Sequence, residues 1–134
     1  MSDCAFCEII AGKIHCMKVY EDEKTLAIMD IAKDVDGHIL VIPKEHYKNI
    51  LDCDYDILNA VISTIKKVSL HLTQSCWYDW INLLNASDES AWQSILHFHI
   101  HIIPRKQNDD IDAWPKFVWA KEDIKTVFER IKMQ

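Results

Sequence analysis

Polarity along the chain changes period several times, and each change marks an element. Residues 4–11 are mainly apolar and fit a short helix that Gly12 stops. Residues 19–21 and 25–29 read as two short strands, with the polar stretch 22–24 as the turn between them. A polar loop over 32–36 closes at Gly37. Residues 38–43 (HILVIP) are apolar and β-branched, which predicts a buried strand ended by its proline. The period then lengthens. Ile57, Val61, Ile65, Val68 and Leu72 recur at steps of three and four, predicting a helix from 54 to about 73 with Lys66 and Lys67 on its outer surface. Residues 80–84 predict another strand and 85–92 a polar loop. Over 94–103 the alternation is strict, and Pro104 ends it. A short final helix over 121–132 carries Ile124, Val127, Phe128 and Ile131. Five strands joined by hairpins, with two main helices, predict an α+β fold on an antiparallel sheet, with 1–134 as one domain.

Composition narrows the function classes. The chain has 134 residues, 49% hydrophobic and 27% charged, enough for a packed core. A net charge of −6 with no basic stripe argues against a nucleic-acid partner. No run approaches the roughly 18 apolar residues of a membrane span. The N-terminal residues carry early acidic groups and do not read as a secretory signal. Five cysteines at irregular spacing argue against a disulfide framework, so a reducing cytoplasm is expected. Only Gly12 and Gly37 are glycines, which excludes the familiar glycine-rich phosphate loops.

Strand geometry turns residues 97–103 (HFHIHII) into chemistry. Side chains two apart share a face, so His97, His99 and His101 form a row, backed by Phe98, Ile100 and Ile102 on the other face. Such a row suits metal binding, acid–base work or nucleophilic catalysis. A single tetrahedral ion held by all three is disfavoured, because alternate strand positions spread them over about 13 Å. Cys4-x-x-Cys7 has the spacing of half a zinc site, or of two incidental thiols.

The run His-Phe-His-Ile-His-Ile-Ile resembles the signature of the histidine triad family. The likeness extends through CAFCEIIAGKI, VYEDEKTLAIMDI, GHILVIPKEH and HFHIHIIPR. The resemblance implies a homodimer that binds purine nucleotides and hydrolyses or transfers nucleotidyl groups at the α-phosphate. His99 matches the nucleophile, which forms a covalent nucleotidyl-histidine. His101 matches the triad member near the scissile bond, and His38 and His97 match supporting members. Asp30 matches the acidic residue that bonds the ribose. Phe6, Ile9 and Ile31 match positions that hold the base, and Asn85, Gln93 and Ser94 match positions along the phosphate. In a bacterial-type subgroup Cys4, Cys7, His46 and His97 would complete a closed structural zinc site. His15 and His71 match nothing in the pattern and are expected at the surface; Cys16, Cys53 and Cys76 are expected to be packing residues.

The chain departs from the family in the loop before the triad. Trp92 stands where a glycine is usual, and left-handed backbone is costly for tryptophan. Asp88 and Glu89 add negative charge near an anion site. The residues therefore leave two readings open. One is a phosphoramidase or dinucleoside polyphosphate hydrolase. The other is a nucleotide-binding or interaction protein with little turnover.

Overall fold

A computed structural model describes residues 3–133. In chain order the elements are α1 (Ala5–Ile10), β1 (Lys18–Glu21), β2 (Thr25–Met29), β3 (Ile39–Pro43), α2 (Tyr55–Ser75), β4 (Trp80–Leu84), a short 3-10 turn (Glu89–Ala91), β5 (Ile100–Arg105) and α3 (Ile124–Ile131). The five strands form one antiparallel sheet in the order β1-β2-β3-β5-β4. The α+β architecture predicted from periodicity is the one observed.

The apolar run of β3 has a simple cause. Its alternate side chains enter two different cores. Ile39 and Val41 pack with Val61, Ile65, Val68 and Leu72 of α2, while Leu40 and Ile42 pack with Phe6 of α1. A strand covered on both faces has no polar side to show. The amphipathic stripe of α2 covers one face of the sheet and α1 covers part of the other. Thr25 and Thr64 are buried within this packing and bond each other through their hydroxyls at 2.6 Å.

The strict alternation over 94–103 does not correspond to one strand. The ladder begins only at Ile100, so His97 and His99 precede it. The preceding segment spends its polar groups elsewhere: the Phe98 amide donates to the Tyr47 carbonyl at 2.7 Å, and the His97 ring bonds the Pro43 carbonyl at 2.8 Å. The two-residue alternation still holds from His97 to Ile102, because extended backbone keeps it with or without a ladder. Phe98, Ile100 and Ile102 enter the α2 core, and His97 and His99 face Phe6. Pro104 also lies inside β5 rather than ending it. The pairing of β3 with β5 stops at Ile39 opposite Ile102, so a missing N–H at Pro104 deprives no partner on that side.

Gly37 sets up the next functional position. Its φ is +80°, and a Cβ there would meet the Tyr78 hydroxyl at 2.8 Å and Pro104 Cγ at 3.0 Å. Only glycine fits that turn, and the turn delivers His38 to the edge of β3.

Candidate active site and metal centre

Cys4 caps α1, and its thiol accepts from the Cys7 amide at 3.4 Å. The cap brings both thiols to one end of the helix. His46 follows β3 on a loop shaped by Asp52, whose carboxylate accepts from the Lys48 and Asn49 amides at 3.1 and 3.0 Å. His97 arrives from the other side. Its Nδ1 lies 3.3 Å from Cys4 Sγ, 3.5 Å from Cys7 Sγ and 3.1 Å from His46 Nδ1, and His46 Nδ1 is 3.3 Å from Cys7 Sγ. All four donor atoms fall within 4.8 Å of one another.

The protonation of His97 suits a metal. Its Nε2–H donates to the Pro43 carbonyl, which leaves Nδ1 as a bare lone pair aimed at the thiols. Burial pushes its pKa down to about 4, with the neighbouring His46 and His99 rings adding to the effect. A tetrahedral ion with bonds of about 2.0–2.3 Å puts its ligand atoms about 3.3–3.8 Å apart. The observed spacings lie close to that range. The cluster is therefore a donor set that could hold a metal ion.

Two residues on, the His99 Nδ1–H donates to the His97 carbonyl at 2.7 Å. This leaves His99 Nε2 as a lone pair. Asn85, directly after β4, donates its Nδ2–H to the His99 carbonyl at 2.8 Å and so fixes the backbone that carries the ring. Phe6 meets the His99 ring edge-on at 5.2 Å between centroids, and the His101 ring lies at 4.9 Å. Burial disfavours the charged ring and lowers the His99 pKa, partly opposed by the His97 carbonyl and Asp30. His101, on β5, is half-buried. Burial and then the His99 and His38 rings bring its pKa down to about 4, partly opposed by Asp30 and Asp34. His38 Nε2 stands 2.8 Å from His101 Nδ1, and His38 Nδ1 stands 2.9 Å from Asp34 Oδ1.

A family model described as the HIT domain matches residues 11–108 of this chain. The chain belongs to the histidine triad family. It is similar to adenylylsulfatase HINT3 of Arabidopsis thaliana, with 37% identity over 92% of this chain. The chain spans only 59% of the length of that relative. It is 35% identical to adenosine 5'-monophosphoramidase hnt1 of Schizosaccharomyces pombe, over 96% of this chain and 95% of the relative. Among solved structures it resembles a zinc-bound histidine triad family protein from Mycobacterium smegmatis, with TM-score 0.79 and 28% identity over 83% of this chain and 81% of that one.

The remaining family positions fall in different settings. Phe6 is buried between His97 and His99, and Ile9 packs partly against the same core. Ile31 is 79% exposed and stands clear of the core. The Asp30 carboxylate accepts from the Ala32 amide at 2.8 Å and lies 3.5 Å from His38 Nε2, next to the histidines. Gln93 acts as a brace: its amide oxygen accepts from the Asp88 amide at 2.7 Å, and its nitrogen donates to the Lys48 and Ile95 carbonyls at 2.6 and 2.9 Å. Ser94 borders a hollow beside the cysteine–histidine cluster, with Cys4, Cys7, His46 and Lys48.

Trp92 does take the left-handed backbone of the glycine it replaces, with φ 65° and ψ 40°. Its indole is 90% exposed, so its bulk turns to solvent. Asp88 also has positive φ, 71°, and its carboxylate bonds the Glu89 amide at 2.8 Å. The Gln93 brace holds this strained turn. The residue pattern alone does not single out Asp34. It sits in a polar loop of ordinary composition, and its spacing of four from His38 was the one available signal.

Proposed function

We propose that this histidine triad protein is a nucleotidyl hydrolase that forms a covalent nucleotidyl-His99 intermediate at the α-phosphate. The observation that carries the reading is the bond from His99 Nδ1–H to the His97 carbonyl. It leaves the neutral Nε2 lone pair free to attack phosphorus. The neighbouring histidines and Asp30 then serve the bound nucleotide, with Asp30 accepting from ribose hydroxyls and Ile31 offering an apolar surface to a purine base. Candidate substrates are nucleoside phosphoramidates, dinucleoside polyphosphates and related adenylates, in keeping with the names of the two relatives.

Cys4, Cys7, His46 and His97 would hold a structural zinc ion, as in the bacterial-type subgroup. With four protein ligands the ion has no open position for water. Its contribution is to tie α1 to the segment carrying His99. A homodimer fits β4, an edge strand of the sheet on which Trp80 is 61% and Leu83 44% exposed. The edge presents unpaired backbone groups beside apolar side chains, which a second copy would cover. The cytoplasm remains the expected compartment; no helix among the described residues is long and apolar enough to cross a membrane.

Hydrolysis of adenosine 5'-phosphoramidate and diadenosine polyphosphates by the protein and by His99→Ala tests the reading. AMP release that is lost in His99→Ala is the expected result. Tight AMP binding with no turnover in the unmodified protein would favour the binding-module alternative instead. Sedimentation reads the dimer, and a monomer of 15.7 kDa would refute it.

A further inference from the structure

The imidazoles of the site differ in what holds their protons. Asp34 Oδ1 lies 2.9 Å from His38 Nδ1, and a carboxylate only accepts. His38 Nδ1 therefore carries the proton. In a singly protonated His38, Nε2 is then a lone pair, and it faces His101 Nδ1 at 2.8 Å. The proton between the two rings belongs to His101 Nδ1, and the outer nitrogen of His101, Nε2, is a bare acceptor. Asp30 does not compete for His38: its nearer oxygen is 3.5 Å from Nε2, and its other oxygen takes the Ala32 amide. His38 is buried, so bulk water does not reset its tautomer. The groups facing His38 are Asp34, Asp30 and His101; those facing His101 are His99, His38 and the same two carboxylates.

We propose that Asp34 is a positioning residue: acting through His38 it keeps the outer nitrogen of His101 unprotonated, so the site favours nucleotidyl substrates whose leaving group departs as a weakly basic oxyanion over those that release an amine. This rests on His99 as the nucleophile. In the first step the His99 Nε2 lone pair forms an N–P bond, and the bond to the leaving group breaks with its electron pair going to that group. A sulfate, carboxylate or phosphate oxygen carries the pair unaided. An amine needs a proton as the P–N bond breaks, and His101 in this tautomer has none to give. In the second step a water oxygen attacks phosphorus and its proton passes to His101 Nε2. The N–P electron pair returns to His99, and His101 releases the proton to solvent. One water is consumed, and a nucleoside monophosphate and an acid are produced.

The test has two arms on the full chain at pH 8. Long-range 1H–15N correlation of the 15N-labelled protein reads the tautomers. The expected result is Nδ1–H on both His38 and His101; an Nε2–H on His101 overturns the proposal. The second arm compares turnover of adenylyl sulfate and adenosine 5'-phosphoramidate by the protein and by Asp34→Ala. Removing the carboxylate lets His38 place its proton on Nε2, which hands His101 an outer proton. The phosphoramidate-to-sulfate turnover ratio should rise about tenfold, the factor a charge-assisted hydrogen bond of this kind sets. Equal loss on both substrates, with the ratio unchanged, would reduce Asp34 to a structural role and overturn the proposal. If neither substrate is cleaved beyond the His99→Ala level, the nucleotidyl-transfer reading falls and the substrate preference falls with it. The tautomer arm would still decide whether Asp34 sets His101.

Discussion

Asn85 is the residue on which the position of His99 can be tested most cleanly. Its Nδ2–H donates to the carbonyl of a buried residue at 2.8 Å, from a position just beyond β4. In Asn85→Ala that carbonyl loses its donor. A net hydrogen bond contributes roughly 1 kcal/mol, and a stranded buried acceptor raises the loss to about 1–3 kcal/mol. For a chain of this size that is a fall of about 4–10 °C in the thermal midpoint. Asn85→Asp sharpens the experiment. It keeps the shape and replaces the donor with a carboxylate facing a carbonyl, so it should cost more than the alanine at pH 8 and recover in part when the carboxyl is protonated near pH 4. Thermal unfolding followed by circular dichroism measures both. Because the bond fixes backbone carrying the proposed nucleophile, kcat should fall in both variants with KM little changed. A midpoint within about 1 °C of the unmodified protein, or aspartate tolerated as well as asparagine, would refute the role given to this bond.

Other perturbations have equally definite outcomes. His97 and His101 are held neutral, with pKa values pushed down to about 4, whereas an unfolded histidine titrates near 6.5. Below that value the unfolded chain takes up more protons. Stability of the metal-free protein should therefore be flat above pH 7 and fall as pH drops from about 6.5 towards about 4, by on the order of a few kcal/mol. Denaturant midpoints that hold steady from pH 7 to pH 4 would contradict this. A chelator should lower the unfolding midpoint of zinc-loaded protein and leave that of Cys7→Ser unmoved, because a metal that binds only the folded chain stabilises it; equal response of the two proteins counts against Cys7 as a ligand. Trp92→Gly relieves left-handed strain of about 1–2 kcal/mol and adds back about 0.5–1 kcal/mol of chain entropy. Chemical denaturation should thus find it unchanged or up to about 1.5 kcal/mol more stable, and a comparable loss would mean that the indole is packed.

Much of this architecture is legible in side-chain order alone. The stripe of α2, the doubly buried run of β3 and the alternation around the triad are one-dimensional patterns, because each records which face of an element meets water. The HFHIHII run is just as local: two-residue spacing puts three imidazoles on one side wherever the backbone is extended. The sequence therefore determined the element types, the sheet and the row of histidines. It could not determine where the ladder of β5 begins. That depends on Tyr47 and Pro43, fifty or so residues earlier, taking the Phe98 amide and the His97 ring. Nor could it assign protons. Which nitrogen of each histidine is bare follows from a carbonyl or carboxylate brought up by another part of the chain: Pro43 for His97, Asp34 through His38 for His101. Trp92 makes the same point about strain. Left-handed backbone looks prohibitive for a tryptophan in a list of residues, yet the fold holds it with the Gln93 brace and an indole left in solvent. Periodicity is set by contact with water and survives in the order of residues. Hydrogen-bond partners and proton positions are set by distances of a few ångströms between remote segments, and only the folded chain supplies those.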